Sequence, residues 1–424
     1  MGGADIARQA AEGAARRSYG KLVAFLAART RDVAGAEDAL AEAFAIALAT
    51  WPERGVPDNP EAWLLTVARR KLIDAVRERQ YGEGAAEHLA LLAELAEGEE
   101  GDPMPDERLA LMFACAHPAI DSSTRAPLML QTILGFDAAA IASAFLVSPT
   151  AMGQRLVRAK SRIRQAGIPL RVPGQADLRE RLVAVLDAIY AAYAEGWADA
   201  AGTDARRRNL AEEAIWLGGL LASLLPQEPE ALGLLSLMLH AQARRRARRD
   251  ADGGYVPLDQ QDVTLWDEEL IGQAEALLRQ ASTLDAIGRF QLEAAIQSAH
   301  VVRRRTGRAD WAAIERLYEA LEALTGSPVV CINRAIAVAQ TQGPQAGLQL
   351  LAGLAGEARL ADYQPYWAAR AGLLARIGDA SEADRSYERA IGLERDPAVR
   401  QFLQRQREAV PGRQDSGGVH GPAR

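Results

Sequence analysis

Aromatic residues, cysteines and long apolar runs are all scarce in this chain of 424 residues. Aromatics account for only 5% of the sequence, and Ala and Leu dominate its apolar residues. Because aromatic and β-branched residues favour strands whereas Ala and Leu favour helices, the composition disfavours an all-β fold and predicts an all-α one. The two cysteines, Cys115 and Cys331, are too few and too far apart for a disulfide framework.

The sequence also lacks the features of a membrane or secreted protein. Its most apolar run, residues 231–239, is about half as long as a membrane span, so we expect no transmembrane helix and no membrane partner. The first residues include Asp5 and Arg8 and do not follow the basic-then-apolar order of a signal peptide. We therefore expect a soluble protein of the cytoplasm.

Positive charge is in deficit overall. The chain has 49 Lys and Arg against 56 Asp and Glu, a net charge of −7, which excludes a generally basic nucleic-acid coat. Any DNA binding must therefore come from a local patch. The acids concentrate in residues 83–107, which hold nine of them and no Lys or Arg. This stretch predicts an acidic linker, with one short helix around residues 88–95.

The first predicted helix precedes this linker and covers residues 36–51. It places Leu40, Phe44 and Leu48 on one stripe at a four-residue spacing, and Trp51-Pro52 is expected to end it.

A second helix is predicted for residues 60–79, because a proline such as Pro60 suits the first turn, where its missing N–H is not needed. This helix combines basic residues with Trp63. Such a combination suits single-stranded DNA, whose bases stack on aromatic rings. A core tryptophan on an amphipathic helix is the simpler alternative.

The clearest motif is a pair of helices within residues 137–164. Asp137 is predicted to cap a helix that runs to Phe145, and Ser148 with Pro149 is predicted to begin a second helix after a short turn. Two helices joined by such a turn form the helix-turn-helix pattern of DNA-binding proteins.

The second helix of this pair is strongly basic. Residues 148–171 contain six basic residues and no acid. A recognition helix places its first polar side chains against base edges in the major groove. The candidates for contacts with bases or phosphates are Gln154, Arg155 and Arg158, and those for phosphates are Lys160, Arg162 and Arg164. The alternative is a basic, solvated helix within a bundle.

The remainder of the chain, from about residue 175, is predicted to be helical with weak repeats. Gly307, Gly343 and Gly378 are separated by 36 and 35 residues. This period is close to the roughly 34 residues of tetratricopeptide-type helix pairs. An arginine-rich insert at residues 244–265, expected to be a solvated loop or a site for an acidic partner, interrupts this part.

Motifs of enzymes are not found. The sequence has no phosphate-binding loop, no histidine-rich metal spacing and no nucleophile motif. We therefore predict no catalytic residue, no metal site and no cofactor.

Three segments, in this order, resemble the sigma factors of bacterial RNA polymerase. Residues 36–44, followed by Trp51-Pro52, resemble the helix that binds the polymerase. Residues 62–69, followed by Ile73-Asp74 and Arg77, resemble the helix that reads the −10 promoter element. Residues 148–159 resemble the helix that reads the −35 element, although Gly153 is unusual there. Two such domains joined by a linker resemble the extracytoplasmic-function class of the sigma-70 family.

The resemblance implies three sets of binding residues, and core RNA polymerase and promoter DNA as partners. The polymerase-binding residues are Asp38, Leu40, Glu42, Phe44 and Trp51. The residues for the −10 element are Trp63, Arg69, Arg70, Lys71 and Arg77. The residues for the −35 element are Ser148, Thr150, Gln154, Arg155, Arg158, Lys160 and Arg162.

The long C-terminal part resembles the extension carried by one group of these sigma factors. The resemblance rests on a signature segment that contains Asp259, Gln261, Asp262, Trp266 and Asp267. A structural explanation of this segment is that Thr264 caps a helix while Asp267 reaches back to it. The resemblance implies that the extension regulates initiation, and its repeats would suit a protein or peptide partner.

The expected architecture is all-α. Its parts are sigma region 2 (10–82), the acidic linker (83–106), sigma region 4 with the helix-turn-helix (107–172), a helical extension domain (175–290), tetratricopeptide-like repeats (291–405) and a disordered tail (406–424). Two alternatives stay open. One is a helix-turn-helix regulator with a repeat sensor that does not bind core polymerase, and the other is a helical-repeat adaptor with no DNA role.

Overall fold

The computed structural model describes residues 3–79, 106–145, 147–198, 205–284 and 286–410. Within these ranges the fold is all-helical, as the composition predicts, and the one strand-like feature is an isolated bridge between Arg249 and Tyr255. The chain divides into two compact units, Met1–Leu224 and Leu225–Arg424. Residues 83–105 of the predicted acidic linker, with its short helix, lie outside the described residues.

Three helices begin the first unit: α1 (Gly3–Thr30), α2 (Val33–Arg54) and α3 (Pro60–Arg79). The bounds of α3 are those predicted from its sequence. Helix α2 instead continues past Pro52, where it was predicted to end. The proline falls in the last turn, where it removes only one intrahelical hydrogen bond, and the helix ends at Gly55 with φ +85°.

The predicted apolar stripe of α2 is only partly correct. Leu40 is fully buried, Phe44 is half-buried, and Leu48 is 49% exposed. Successive residues of a helix are about 100° apart, so a strict four-residue spacing drifts by about 40° at each step. The buried face instead follows alternating steps of three and four residues through small side chains, ending at Trp51.

Six more helices complete the first unit. They are α4 (Arg108–Cys115), α5 (Ser122–Leu134), α6 (Ala138–Ala144), α7 (Pro149–Gln165), α8 (Gln175–Ala198) and α9 (Ala205–Leu224). Helix α1 packs against both α4 and α5. At Gly20 the approach is so close that a Cβ atom would lie 2.2 Å from the Ile133 carbonyl oxygen, so only glycine fits. The segments before and after the acidic linker are therefore packed together.

Helices α8 and α9 are built into this same unit. Helix α8 packs on α4 and α5, and α9 packs on α8 and α6. Arg181 Nη2 donates a hydrogen bond to the Phe113 carbonyl oxygen at 3.1 Å, and the Arg108 guanidinium lies 5.6 Å from the centre of the Trp216 ring. The first two helices after residue 175 thus contact the helices around α6.

The second unit holds ten α-helices among its described residues, besides short 3₁₀ turns. They are α10 (Pro229–Ala243), α11 (Glu268–Ser282), α12 (Arg289–Val301), α13 (Arg303–Thr306), α14 (Trp311–Thr325), α15 (Pro328–Thr341), α16 (Pro344–Ala352), α17 (Gln364–Ile377), α18 (Ala380–Leu393) and α19 (Pro397–Glu408). From α14 onward each helix contacts the next. Gly307, Gly343 and Gly378 have positive φ angles at helix boundaries, which glycine adopts without strain.

The C-terminal helix extends beyond residue 406, where the disordered tail was predicted to begin. Arg407 donates two hydrogen bonds to Asp384, at 2.7 and 2.8 Å, and Val410 is buried against the helices α17 to α19. These contacts hold the last turn of α19 in place. Residues 411–424 lie outside the described residues.

Candidate nucleic-acid interface

Helix α7 has one buried face and one exposed face. Ser148 caps it, as predicted, by accepting a hydrogen bond from the Ala151 N–H at 3.2 Å. The buried side chains recur every three or four residues and pack toward α5, α6 and α2; they are Met152, Leu156, Ala159 and Ile163. The opposite face of α7 therefore points to solvent.

Most of the side chains predicted to meet the −35 element lie on this exposed face. They are Ser148, Thr150, Gln154, Arg155, Arg158 and Arg162. Arg155, Arg158 and Arg162 line one wall of a groove of about 390 Å³, whose other wall is the turn between α4 and α5. The Arg158 Nε also donates to the Gln154 carbonyl oxygen at 3.2 Å. The groove thus presents three guanidinium groups along one helix.

The far wall of the groove carries an acidic group, Asp121. Its carboxylate accepts hydrogen bonds from the Ser123 hydroxyl and, at 2.9 Å, from the Ser123 N–H. These bonds hold the pKa of Asp121 below its usual range, and the positive charges of Arg155 and Arg125 act in the same direction. Asp121 therefore stays charged and places a negative charge on the wall opposite Arg155.

Lys160, which was also predicted to contact DNA, is placed differently. Its ammonium forms an ion pair and a hydrogen bond with Glu37 of α2, and the two side chains are only 13% and 11% exposed. One helical turn further on, Arg164 pairs with Asp32 at 3.2 Å. The sequence could not reveal these partners, because Glu37 and Lys160 are 123 residues apart.

The five residues predicted to bind polymerase separate into two groups on α2. Asp38 and Glu42 are exposed, whereas Leu40 and Trp51 are buried and Phe44 is half-buried. The buried side chains hold the helix in its unit and are not available on its surface. Leu48, 49% exposed, is an apolar side chain on the open surface that sequence reasoning had assigned to the core.

The residues predicted for the −10 element also have different surroundings on α3. Trp63 packs edge-on against Trp51, with ring centres 5.4 Å apart. The Arg69 guanidinium lies 5.1 Å from the centre of the Phe25 ring, and burial lowers its pKa. Lys71 pairs with Glu42 at 2.8 Å.

The two remaining residues predicted for the −10 element, Arg70 and Arg77, also lie on α3. Arg70 is exposed, and Arg77 lies in α3 with its side chain outside the described residues. Trp63 and Arg69 therefore have packing roles within the unit, and Arg70 presents its charge on the surface.

The signature segment of the second unit has structural roles. Trp266 is 3% exposed, with the Arg244 guanidinium 5.8 Å from its ring centre. Gln261 is buried, and its carbonyl oxygen accepts a hydrogen bond from Arg303 at 3.0 Å. Asp259 is exposed. Since Arg244 is 8% exposed, the arginine-rich insert is not simply a solvated loop.

The expected capping arrangement in this segment is wrong in detail. Asp262 caps the short turn Val263–Leu265 by accepting from the Thr264 N–H at 2.9 Å, and Asp267 itself caps α11 by accepting from the Leu270 N–H at 3.0 Å. Thr264 cannot cap α11, because the backbone of Trp266 between them is extended.

No group of His, Cys, Asp or Glu side chains that could hold a metal ion occurs among the described residues. Over the same part of the chain, no helix is both long enough and apolar enough to cross a membrane.

Comparisons with known proteins identify two regions. Sigma-70 region 2 matches residues 15–81, which contain the whole of α2 and α3 and a little over half of α1. A family of unknown function (DUF6596) matches residues 181–282. The chain is 42% identical over 365 residues to the uncharacterized protein R00370 of Rhizobium meliloti (strain 1021), covering 84% of this chain and 86% of that protein. No solved structure matches the chain.

The chain belongs to the same family as the Rhizobium meliloti protein. Its match to sigma-70 region 2 supports a factor of the sigma-70 family, whose members direct RNA polymerase to promoters.

Proposed function

We propose that the chain is a sigma factor of the extracytoplasmic-function class, with α2 binding core RNA polymerase, α3 reading the −10 element and α7 reading the −35 element. The match to sigma-70 region 2 carries this proposal, because that region is where sigma factors bind the polymerase. The basic, exposed face of α7 supports the DNA-binding part. The sigma factor itself catalyses no reaction.

The polymerase-binding surface of α2 would centre on its exposed residues. Asp38 supplies negative charge, Glu42 is exposed beside it in its ion pair with Lys71, and Leu48 supplies an apolar anchor on the same open side of the helix. In protein interfaces a few side chains that become fully desolvated near the centre carry most of the affinity. Leu40 and Trp51 act indirectly by holding α2 in position.

The packed first unit must open to engage a promoter. The centres of the −35 and −10 elements are about 25 base pairs apart, which is about 85 Å along B-DNA. A compact unit of this length has a radius of gyration of about 17 Å, so it cannot reach both elements at once. The helices α1 to α3 must therefore separate from α7, and the ion pairs of Lys160 and Arg164 must break.

The extension is proposed to act in cis and to be required for initiation. Helices α8 and α9 support this role, because they pack against α4, α5 and α6 and so complete the unit that carries α7. The helices from α14 onward would offer a surface for a protein or peptide partner.

Binding to core polymerase tests the proposal and separates it from a helix-turn-helix regulator. The chain should bind purified core polymerase, and Leu48→Arg should weaken that binding by at least ten-fold, on the order of a lost hot spot. Leu324→Arg, at an apolar residue of α14 with 53% exposure, is the matched control and should bind normally. Equal binding by both variants would exclude α2 as the contact.

A further inference from the structure

Two residues of α7, the half-buried Gly153 and the exposed Val157, are poor choices for a helix. Gly153 lies in its interior, where glycine is among the weakest helix formers. Val157 is 63% exposed, although its β-branched side chain loses freedom in a helix and gains little from packing at such a site. Local choices that oppose the fold are expected where function requires them.

The fold itself does not require glycine at position 153. A Cβ atom built on Gly153 would meet nothing within 4 Å, whereas one built on Gly20 would collide with the Ile133 carbonyl oxygen. Gly153 has no positive φ angle either. Neither close packing nor backbone conformation therefore explains this glycine.

Gly153 and Val157 together form a small apolar notch. Residues four apart lie on the same face of a helix, and side chains lean toward the helix N-terminus. The Val157 side chain therefore leans toward Gly153, where no side chain covers the backbone. We call this feature the Gly153 notch: its floor is the Gly153 backbone and its wall is Val157.

Hydrogen-bonding side chains lie on one side of the notch. Gln154 and Arg158 are both exposed, each about 100° around the helix from Gly153 and Val157 respectively. In the major groove the apolar group on a base edge is the 5-methyl group of thymine, while Gln pairs well with adenine. A notch of this size beside a glutamine fits one A·T pair.

We propose that the Gly153 notch receives the 5-methyl group of one thymine in the −35 element and so sets the sequence preference of α7 at that position. This inference rests on the proposed function, because it needs α7 to lie in the major groove. The glycine allows the base edge to approach the helix backbone, and Val157 contacts the methyl group.

Replacing thymine by deoxyuridine tests the proposal, because it removes only the methyl group. The probe is a duplex selected from a random library by the full chain with core RNA polymerase, then remade with one deoxyuridine at a time. At one position, loss of the methyl group should weaken binding about four-fold. This factor corresponds to about 0.8 kcal/mol, the value for one buried carbon. In Val157→Ala the same replacement should have little effect.

A second variant separates recognition from stability. Gly153→Gln fills the notch and, because Gln forms helices better than Gly, should raise the melting temperature. It should also abolish the dependence on the thymine methyl group. A merely structural glycine would not give higher stability together with lost discrimination.

Matched controls lie in the same unit, on α8 and α9. Val183→Ala removes a valine of similar exposure, 54%, and Gly219→Gln changes a helical glycine with equally open surroundings. Both should keep the full dependence on the methyl group.

Two outcomes overturn the inference while leaving the proposed function intact. One is a selected duplex whose affinity is insensitive to every deoxyuridine. The other is a dependence of binding on the thymine methyl group that stays unchanged in both Val157→Ala and Gly153→Gln. Failure to select any sequence with the polymerase present would overturn the proposed function itself.

Discussion

Lys160 of α7 and Glu37 of α2 form an ion pair that joins the predicted recognition helix to the predicted polymerase-binding helix. Both side chains are almost entirely buried, and the neighbouring pair of Arg164 with Asp32 lies one helical turn away. Burial raises the pKa of Glu37, and the positive charge of Lys160 opposes that shift. Two helices with separate expected partners are thus linked through charged groups.

Removal of Lys160 should destabilise the first unit strongly. Lys160→Met leaves the Glu37 carboxylate buried without a counter-charge, and the expected loss is about 3 kcal/mol in the free energy of unfolding. Chemical denaturation at neutral pH measures it. Lys71→Met is the matched control: its partner is Glu42, the side chains are 40% and 59% exposed, and the loss should be under about 1 kcal/mol.

The loss of unfolding free energy in Lys160→Met should become smaller in acid. Without the lysine, the pKa of Glu37 should rise further above its ordinary 4.5, so the folded state binds this proton more tightly than the unfolded state. Stability then increases as pH falls through the raised pKa and the gain is complete below 4.5. A deficit that is constant with pH would show that Glu37 is not its source.

Acid should destabilise the second unit through two buried histidines. Burial, with the charge of Arg244, lowers the pKa of His240 and of His300 from 6.5 to about 4. The unfolded chain therefore binds more protons between these values, and stability is lost as pH falls from 6.5 toward 4. The loss should approach about 3 kcal/mol for each histidine.

Calorimetry of the full chain at about pH 7.5 and about pH 5 measures this effect. His240→Leu should reduce the difference between the two conditions, and the double variant with His300→Leu should reduce it further. An unchanged difference in the double variant would assign the acid sensitivity to other groups.

Truncation should have different effects at two points in the extension. A chain ending at Leu224 keeps α8 and α9, which contact Phe113 and Arg108, and should still unfold cooperatively. A chain ending at Gly174 exposes the surfaces that those helices cover and should unfold at lower temperature or aggregate. If the extension is required, the chain ending at Leu224 should give less promoter-specific transcript than full length. More transcript would indicate autoinhibition instead.

Local sequence signals predicted the starts of three helices in the first unit correctly, although they misassigned the cap at Thr264 in the second. Pro60, Ser148 and Asp137 act through neighbours within three residues, so the boundaries of α3, α6 and α7 follow from the sequence. Leu48 was wrongly predicted to share the buried stripe of Leu40. It lies about 80° around the helix from Leu40, because each four-residue step drifts by about 40°.

Contacts between distant segments could not be predicted in this way. The pairing of Lys160 with Glu37, the fit of Gly20 against Ile133 and the packing of α8 on α4 depend on tertiary structure. As a result, the sequence grouped Lys160 with the exposed arginines of α7, although its charge is already paired.

Transcription from purified components tests the central claim most directly. Core polymerase should produce discrete transcripts from genomic DNA only when the full chain is added, and Leu48→Arg should abolish them while Leu324→Arg does not. Each transcript start should lie downstream of a shared pair of sequence elements. A chain that yields no such transcripts and fails to bind core polymerase, yet still shifts DNA by itself, would contradict the account and identify a regulator of another kind.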